Sequence, residues 1–133
     1  KIEENENMTI SDIFKFRDES YFRKIEENIT LDALDLKNHV IALGGGGYIN
    51  PKIRRKILKN CISVWLNWRH ETLINRIKHS KKRPLAMKLG IIEMKKLIIN
   101  RSKIYNTSDF KINCDNLNKN QIVNKIIKHY EIK

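Results

Sequence analysis

The sequence is poor in the residues that build metal sites and covalent-nucleophile sites. Its two cysteines, Cys61 and Cys114, stand far apart beside apolar runs, with no second Cys or His at metal-ligand spacing. They read as two buried, reduced thiols. The four histidines (His39, His70, His79, His129) form no H-x-x-H or H-x-x-x-H pair, which excludes the usual zinc patterns. No G-x-S-x-G or Cys/His signature marks a nucleophile. Neither G-x-G-x-x-G nor G-x-x-x-x-G-K-[ST] occurs. Long apolar runs are missing too, and nothing approaches the ~18 residues of a membrane span. Residues 1–7 are polar but for Ile2, and no signal peptide is expected there. The chain does not begin with Met, and residues are expected upstream of Lys1.

What is present suits one folded domain. The chain has 133 residues, 41% of them apolar, enough for a packed interior but too few for two cores. It carries 27 basic and 15 acidic groups, a net charge of +12, which raises nucleic acid or an anionic membrane as partner. Composition weakens that argument. Ile, Asn and Lys, all with A/T-rich codons, number 22, 15 and 19, against only eight Arg. The charge is also uneven: residues 1–35 hold five basic and ten acidic groups (net −5), residues 36–133 twenty-two and five (net +17). Neither nucleic acid nor a membrane is expected as partner.

Helices and strands alternate along the chain. Ser11 and Asp12 are placed to cap a first helix, and Asp18 a second with Phe22, Ile25 and Ile29 on its buried side. Val40-Ile41-Ala42-Leu43 reads as a fully buried strand, stopped by Gly44-Gly45-Gly46-Gly47. Asn50-Pro51 opens a basic helix ending near Asn60. A second strand is expected over 62–66, then a helix through Leu73, Ile74 and Ile77. A basic segment, 79–85, precedes a long helix with Ile91, Met94, Leu97 and Ile98 inward. A third strand covers 110–114. Asn118 caps the last helix, whose Ile122, Val123, Ile126, Ile127 and Tyr130 form an apolar stripe. Strands separated by helices predict an α/β fold with a parallel sheet flanked by helices in three layers. No apolar stripe should stay exposed after packing, so a monomer is expected.

Ligands of such sheets bind at the carboxyl ends of the strands, where the four glycines lie. Glycines there let the backbone turn sharply and let a ligand approach main-chain N–H groups. Arg23, Arg83 and Arg101 are the other candidates. In a lysine-rich chain, an arginine points to a need for its planar, bidentate fork. Arg23 and Glu26, three apart, share a helix face. Arg83 precedes Pro84 and so stands in an extended, loop-like segment suited to a mobile lid.

Phe22-Arg23-Lys24-Ile25-Glu26, then Gly44-Gly45-Gly46, then Arg83-Pro84-Leu85, then Arg101 with Tyr105 four residues on, resemble the shikimate kinase family in order and separation. Ile2-Glu3, residues 8–14 and the stretch 113–117 extend the resemblance over essentially the whole chain.

The resemblance implies a cytoplasmic enzyme that transfers the γ-phosphoryl of ATP to the 3-hydroxyl of shikimate, with Mg2+, in aromatic amino-acid biosynthesis. It implies a single domain over 1–133, with substrate-binding helices in 1–35 and a lid over 76–88. Arg23 and Arg101 would clamp the substrate carboxylate. Gly45 and Gly46 would lie against the ring and its hydroxyls, and Glu26 would support Arg23. Arg76 would lie on the adenine ring, Gly44 near the γ-phosphate, and Arg83 would swing in to neutralise the transferring phosphoryl group.

One departure is large. The family's glycine-rich phosphate loop, with its magnesium ligand, and a D-x-D pair belong to a strand-helix-strand unit expected upstream of Lys1. That unit's first strand would lie between those at 40–43 and 62–66. These 133 residues alone are therefore expected neither to transfer phosphate nor to bind ATP tightly. Two other readings are a non-catalytic relative acting as a binding or partner-stabilising module, and a basic nucleic-acid-binding domain. Gluconate-type small-molecule kinases share the architecture.

Overall fold

A computed structural model describes residues 1–79 and 89–132. Short polar side chains set the helix starts. Thr9 opens α2 (Ile10–Phe16), its Oγ1 accepting from the Asp12 amide at 3.1 Å. The expected cap at Ser11-Asp12 is thus corrected: Asp12 sits one turn in and takes the Thr9 hydroxyl at 2.6 Å. A short α1 (Ile2–Glu6) precedes it. Asp18 caps α3 (Glu19–Ala33), accepting from the Tyr21 amide at 2.7 Å. Asn50 caps α4 (Pro51–Asn60) with Pro51 at the first position, where its missing N–H costs nothing. α5 spans His70–Lys78 and α6 Ile91–Tyr105. Asn118 and Gln121 exchange reciprocal bonds, both 2.9 Å, to open α7 (Lys119–Glu131).

Among the described residues the sheet has two parallel strands, β1 (Val64–Asn67) and β2 (Phe110–Asn113), with Val64 opposite Phe110 and Asn67 opposite Asn113. Two polar buckles fix this register. Asp109 Oδ2 accepts from the Ser63 amide and hydroxyl at 2.9 and 2.7 Å, and Asn67 donates to Asn113 Oδ1 at 2.8 Å. The α/β class with a parallel sheet holds. The expected strand at 40–43 does not form: this stretch joins no sheet, Val40 is fully exposed and Ile41 is exposed. β-branched residues favour a pleated surface only when a ladder partner and a face to pack against are present. Here β1 and β2 pair with each other and no described strand lies beside 40–43.

Two apolar clusters share α6. Leu34, Tyr48, Ile53 and Ile57 join α3, a 3₁₀ turn (Gly47–Ile49) and α4, with Ile104 and Tyr105 of α6 against them. Ile74 and Ile77 of α5 pack on Met94 and Ile98 of α6. Ile91, expected inward, is half exposed at the helix start. The α7 stripe is corrected as well. Ile122, Ile126 and His129, at i, i+4 and i+7, are half-buried, and His129 stacks on Phe110 at 4.3 Å. Val123, Ile127 and Tyr130 stay exposed, Tyr130 at 67%. A five-residue stripe is wider than the strip that one short strand covers, so packing does not argue for a monomer. Cys114 is buried as expected, whereas Cys61 is half-buried.

Candidate functional site

The glycine turn is a meeting point of α3 and α6. The Asp18 cap sets the phase of α3 so that Arg23 and Glu26 rise side by side, with Arg23 Nη1 on Glu26 Oε2 at 2.7 Å. Glu26 is buried, and a buried carboxylate is tolerable only when so paired. Arg23 Nε and Nη2 reach Glu19 Oε1 at 3.3 and 3.2 Å.

Gly44, Gly45 and Gly46 pass beneath these side chains. A Cβ on Gly46 would fall inside the Arg23 guanidinium, 2.8 Å from Cζ. One on Gly45 would lie 3.2 Å from Arg101 Nη1, and one on Gly44 3.1 Å from Glu26 Oε1. No glycine has a positive φ, so room, not an unusual torsion, is what these positions require. The turn closes through the Gly47 amide on the Gly44 carbonyl at 2.9 Å.

From the opposite side, α6 presents Arg101 and, one turn later, Tyr105. The Tyr105 hydroxyl donates to the Gly45 carbonyl, and its ring packs between Tyr48 and Trp65 with centroids 6.2 and 5.9 Å away. Arg101 makes no ion pair with any described residue, whereas Arg23 is held by two carboxylates. The result is a guanidinium with no ion pair among the described residues and a second, carboxylate-held guanidinium, both over main chain bared by glycine. Such a pair suits a small anion with a planar head.

A cleft of about 520 Å³ opens past the carboxyl ends of β1 and β2 and is lined by Trp65, Trp68, Arg69, Lys111 and Asp115 among others. Lys111 lies over the Trp65 ring at 4.6 Å, and Arg76 stacks on Trp68 at 3.7 Å. Asp115 bridges two walls, accepting from the Arg69 amide and the Thr72 hydroxyl, both at 2.8 Å. α5 has no side-chain cap of its own, so Asp115 caps it across the fold. Desolvation pushes the Asp115 carboxyl up, but the bonds from Thr72 and Arg69 outweigh it and hold it below the ordinary value. Burial pushes the Cys114 thiol up, and Cys114 is inert packing.

Of the sequence-predicted site residues, the fold brings Arg23, Glu26, Gly44, Gly45, Gly46 and Arg101 together. Arg76 lies apart from them, by the cleft. Arg83 and residues 80–88 of the expected lid lie outside the described residues. Among the described residues no group of three His, Cys, Asp or Glu is placed to hold a metal ion. Sequence reasoning assigned no role to Glu19, Tyr105 or Asp115. The first two had a signal, their four-residue spacing from Arg23 and Arg101. Asp115 had none, because its partners are 43 and 46 residues away.

Fold and site define an α/β protein in which two guanidinium groups meet on a glycine turn between two helices, beside an aromatic cleft. Residues 1–131 match the family model described as shikimate kinase. The chain belongs to the shikimate kinase family. It is 36% identical to the shikimate kinase of Bartonella henselae over 98% of this chain, and 37% identical to that of Persephonella marina over 96%. It spans 64% of the Bartonella henselae protein, 61% of the Bartonella quintana relative and 77% of the Persephonella one. The crystal structure of shikimate kinase from Aquifex aeolicus superposes with a TM-score of 0.85 at 31% identity, covering 98% of this chain and 76% of that one. The fold of the Acinetobacter baumannii shikimate kinase, solved in complex with shikimate, also matches, with a TM-score of 0.85 at 24% identity, over 98% of this chain and 74% of that one.

Proposed function

We propose that these residues form the shikimate-holding part of an enzyme that transfers the γ-phosphoryl of ATP to the 3-hydroxyl of shikimate. The convergence of Arg23 and Arg101 on the Gly45-Gly46 turn carries the reading. Two guanidinium forks match one carboxylate, with charge-assisted bonds on both sides. The bare main chain of Gly45 and Gly46 lets the ring and its hydroxyls lie close. Glu26, buried and paired, holds Arg23 in place. Helices α1–α3, within residues 1–35, form the substrate-binding segment, and residues 76–88 act as the lid.

In the transfer, the shikimate hydroxyl oxygen loses its proton to solvent and bonds to the γ-phosphorus, and the bond from that phosphorus to the β–γ bridging oxygen breaks, releasing ADP. Arg83 neutralises charge on the moving phosphoryl group, and Gly44 lies nearest that phosphate. Arg76, backed by Trp68, offers a flat cation to the adenine. The 133 residues contain no G-x-x-x-x-G-K-[ST], the loop that would cradle the ATP phosphates. These residues by themselves are therefore assigned binding of shikimate without turnover. No described helix is long and apolar enough to cross a membrane. The two free thiols suit the cytoplasm, where we place the protein.

Calorimetry with shikimate and a coupled ADP-release assay test this. The expected outcome is saturable shikimate binding, weakened about tenfold or more by Arg101→Ala, with no shikimate-dependent ADP release. Turnover by the 133 residues would overturn the assignment of binding alone. Absence of shikimate binding would overturn the site.

A further inference from the structure

The two carboxylates on Arg23 differ in every respect that governs displacement. Glu26 binds Nη1 at 2.7 Å with its side chain only 10% exposed. Glu19 binds the other edge, Nε and Nη2, through the single oxygen Oε1 at 3.3 and 3.2 Å, with its side chain 54% exposed. Removing Glu26 from its guanidinium would strand a buried charge, whereas an exposed pair with long contacts is worth little and its carboxylate rehydrates freely. The Nε/Nη2 edge is the one on which an incoming carboxylate can make two parallel bonds. Across the turn, Arg101 has no carboxylate of its own among the described residues.

Resting on the shikimate reading above, we propose that Glu19 is a displaceable stand-in for the substrate carboxylate: it holds the Nε/Nη2 edge of Arg23 when the site is empty and leaves it when substrate binds. Glu19 is thus a positioning residue that acts through Arg23, and it works against affinity. Its neighbour Glu26, on the same arginine, works for affinity. An arginine kept half-occupied stays oriented over Gly46 without closing the site to a better bidentate ligand. The substrate must compete with Glu19, so anions with a single weak oxygen are disfavoured.

The test uses calorimetry of the whole chain with shikimate and with its methyl ester, which lacks the carboxylate charge. Glu19→Gln should bind shikimate about threefold more tightly than the wild type, and Glu26→Gln about tenfold more weakly. Glu19→Asp keeps the acidic first turn of α3 but withdraws one methylene, and it should also tighten binding. Methyl ester binding should not respond to either Glu19 variant. Unchanged or weaker shikimate binding by both Glu19 variants would overturn the proposal, as would equal tightening towards the ester. Those outcomes leave the shikimate reading intact if the wild type binds shikimate. A wild type that binds no shikimate overturns the reading and the role of Glu19 together.

Discussion

The hydroxyl of Tyr105 donates to the carbonyl oxygen of Gly45, so that α6 grips the same turn over which Arg101 stands. Arg101 and Tyr105 are one helical turn apart, and the bond fixes how high the guanidinium sits above Gly45. Tyr105→Phe keeps the ring contacts with Tyr48 and Trp65 and removes this bond. It should cost about 0.5–1.5 kcal/mol in a denaturant titration. Shikimate affinity should fall several-fold; affinity equal to the wild type would show that the bond does not position Arg101.

Gly46→Ala should damage the site while leaving the fold intact. Its methyl would occupy the Arg23 guanidinium, which must swing away from Glu26. We expect shikimate binding to drop about tenfold or more, with a lower melting temperature as well because the buried Glu26 loses its partner. Gly47→Ala is the control, because its Cβ would meet Leu43 at an ordinary 3.6 Å.

Asp109→Ala should register in the sheet. Ser63 is buried and depends on Asp109 for its amide and hydroxyl. Leaving these groups unpaired should cost about 1–3 kcal/mol in a chemical denaturation curve. A loss below half a kcal/mol would mean that the strands keep register without the buckle.

Acid should loosen two tethers. Hydrogen bonds from Lys52 and Asn50 hold the Glu27 carboxyl below its ordinary 4.5, and those from Thr72 and Arg69 outweigh desolvation to hold Asp115 below 3.8. A carboxyl depressed in the folded state stabilises fully above its unfolded pKa and loses that contribution as pH falls through the folded one. Melting temperature should therefore be level from pH 7 to about 5 and fall below about 4. In Asp115→Asn the acid limb should be shallower, and amides at the start of α5 should exchange faster. An unchanged acid limb would sink the Asp115 tether.

Much of this protein follows from short-range chemistry. Asp18, Asn50 and Asn118 start helices because each offers an oxygen to an amide two or three residues on. Arg23 and Glu26 share a face because helical periodicity puts them there. The order of arginine and glycine motifs led to the right family. What sequence reading missed depended on partners distant along the chain. The 40–43 run has strand composition and no ladder neighbour among the described residues, so it joins no sheet and Val40, Ile41 and Ala42 stay exposed. The apolar face of α7 is wider than the surface it meets, so Val123, Ile127 and Tyr130 remain exposed. Only the tertiary structure decided that Glu26 is buried and Glu19 open, that Tyr105 holds Gly45, and that Asp115 caps α5. Local sequence determines which groups a backbone can offer; burial and hydrogen-bond partners arise only when remote segments meet.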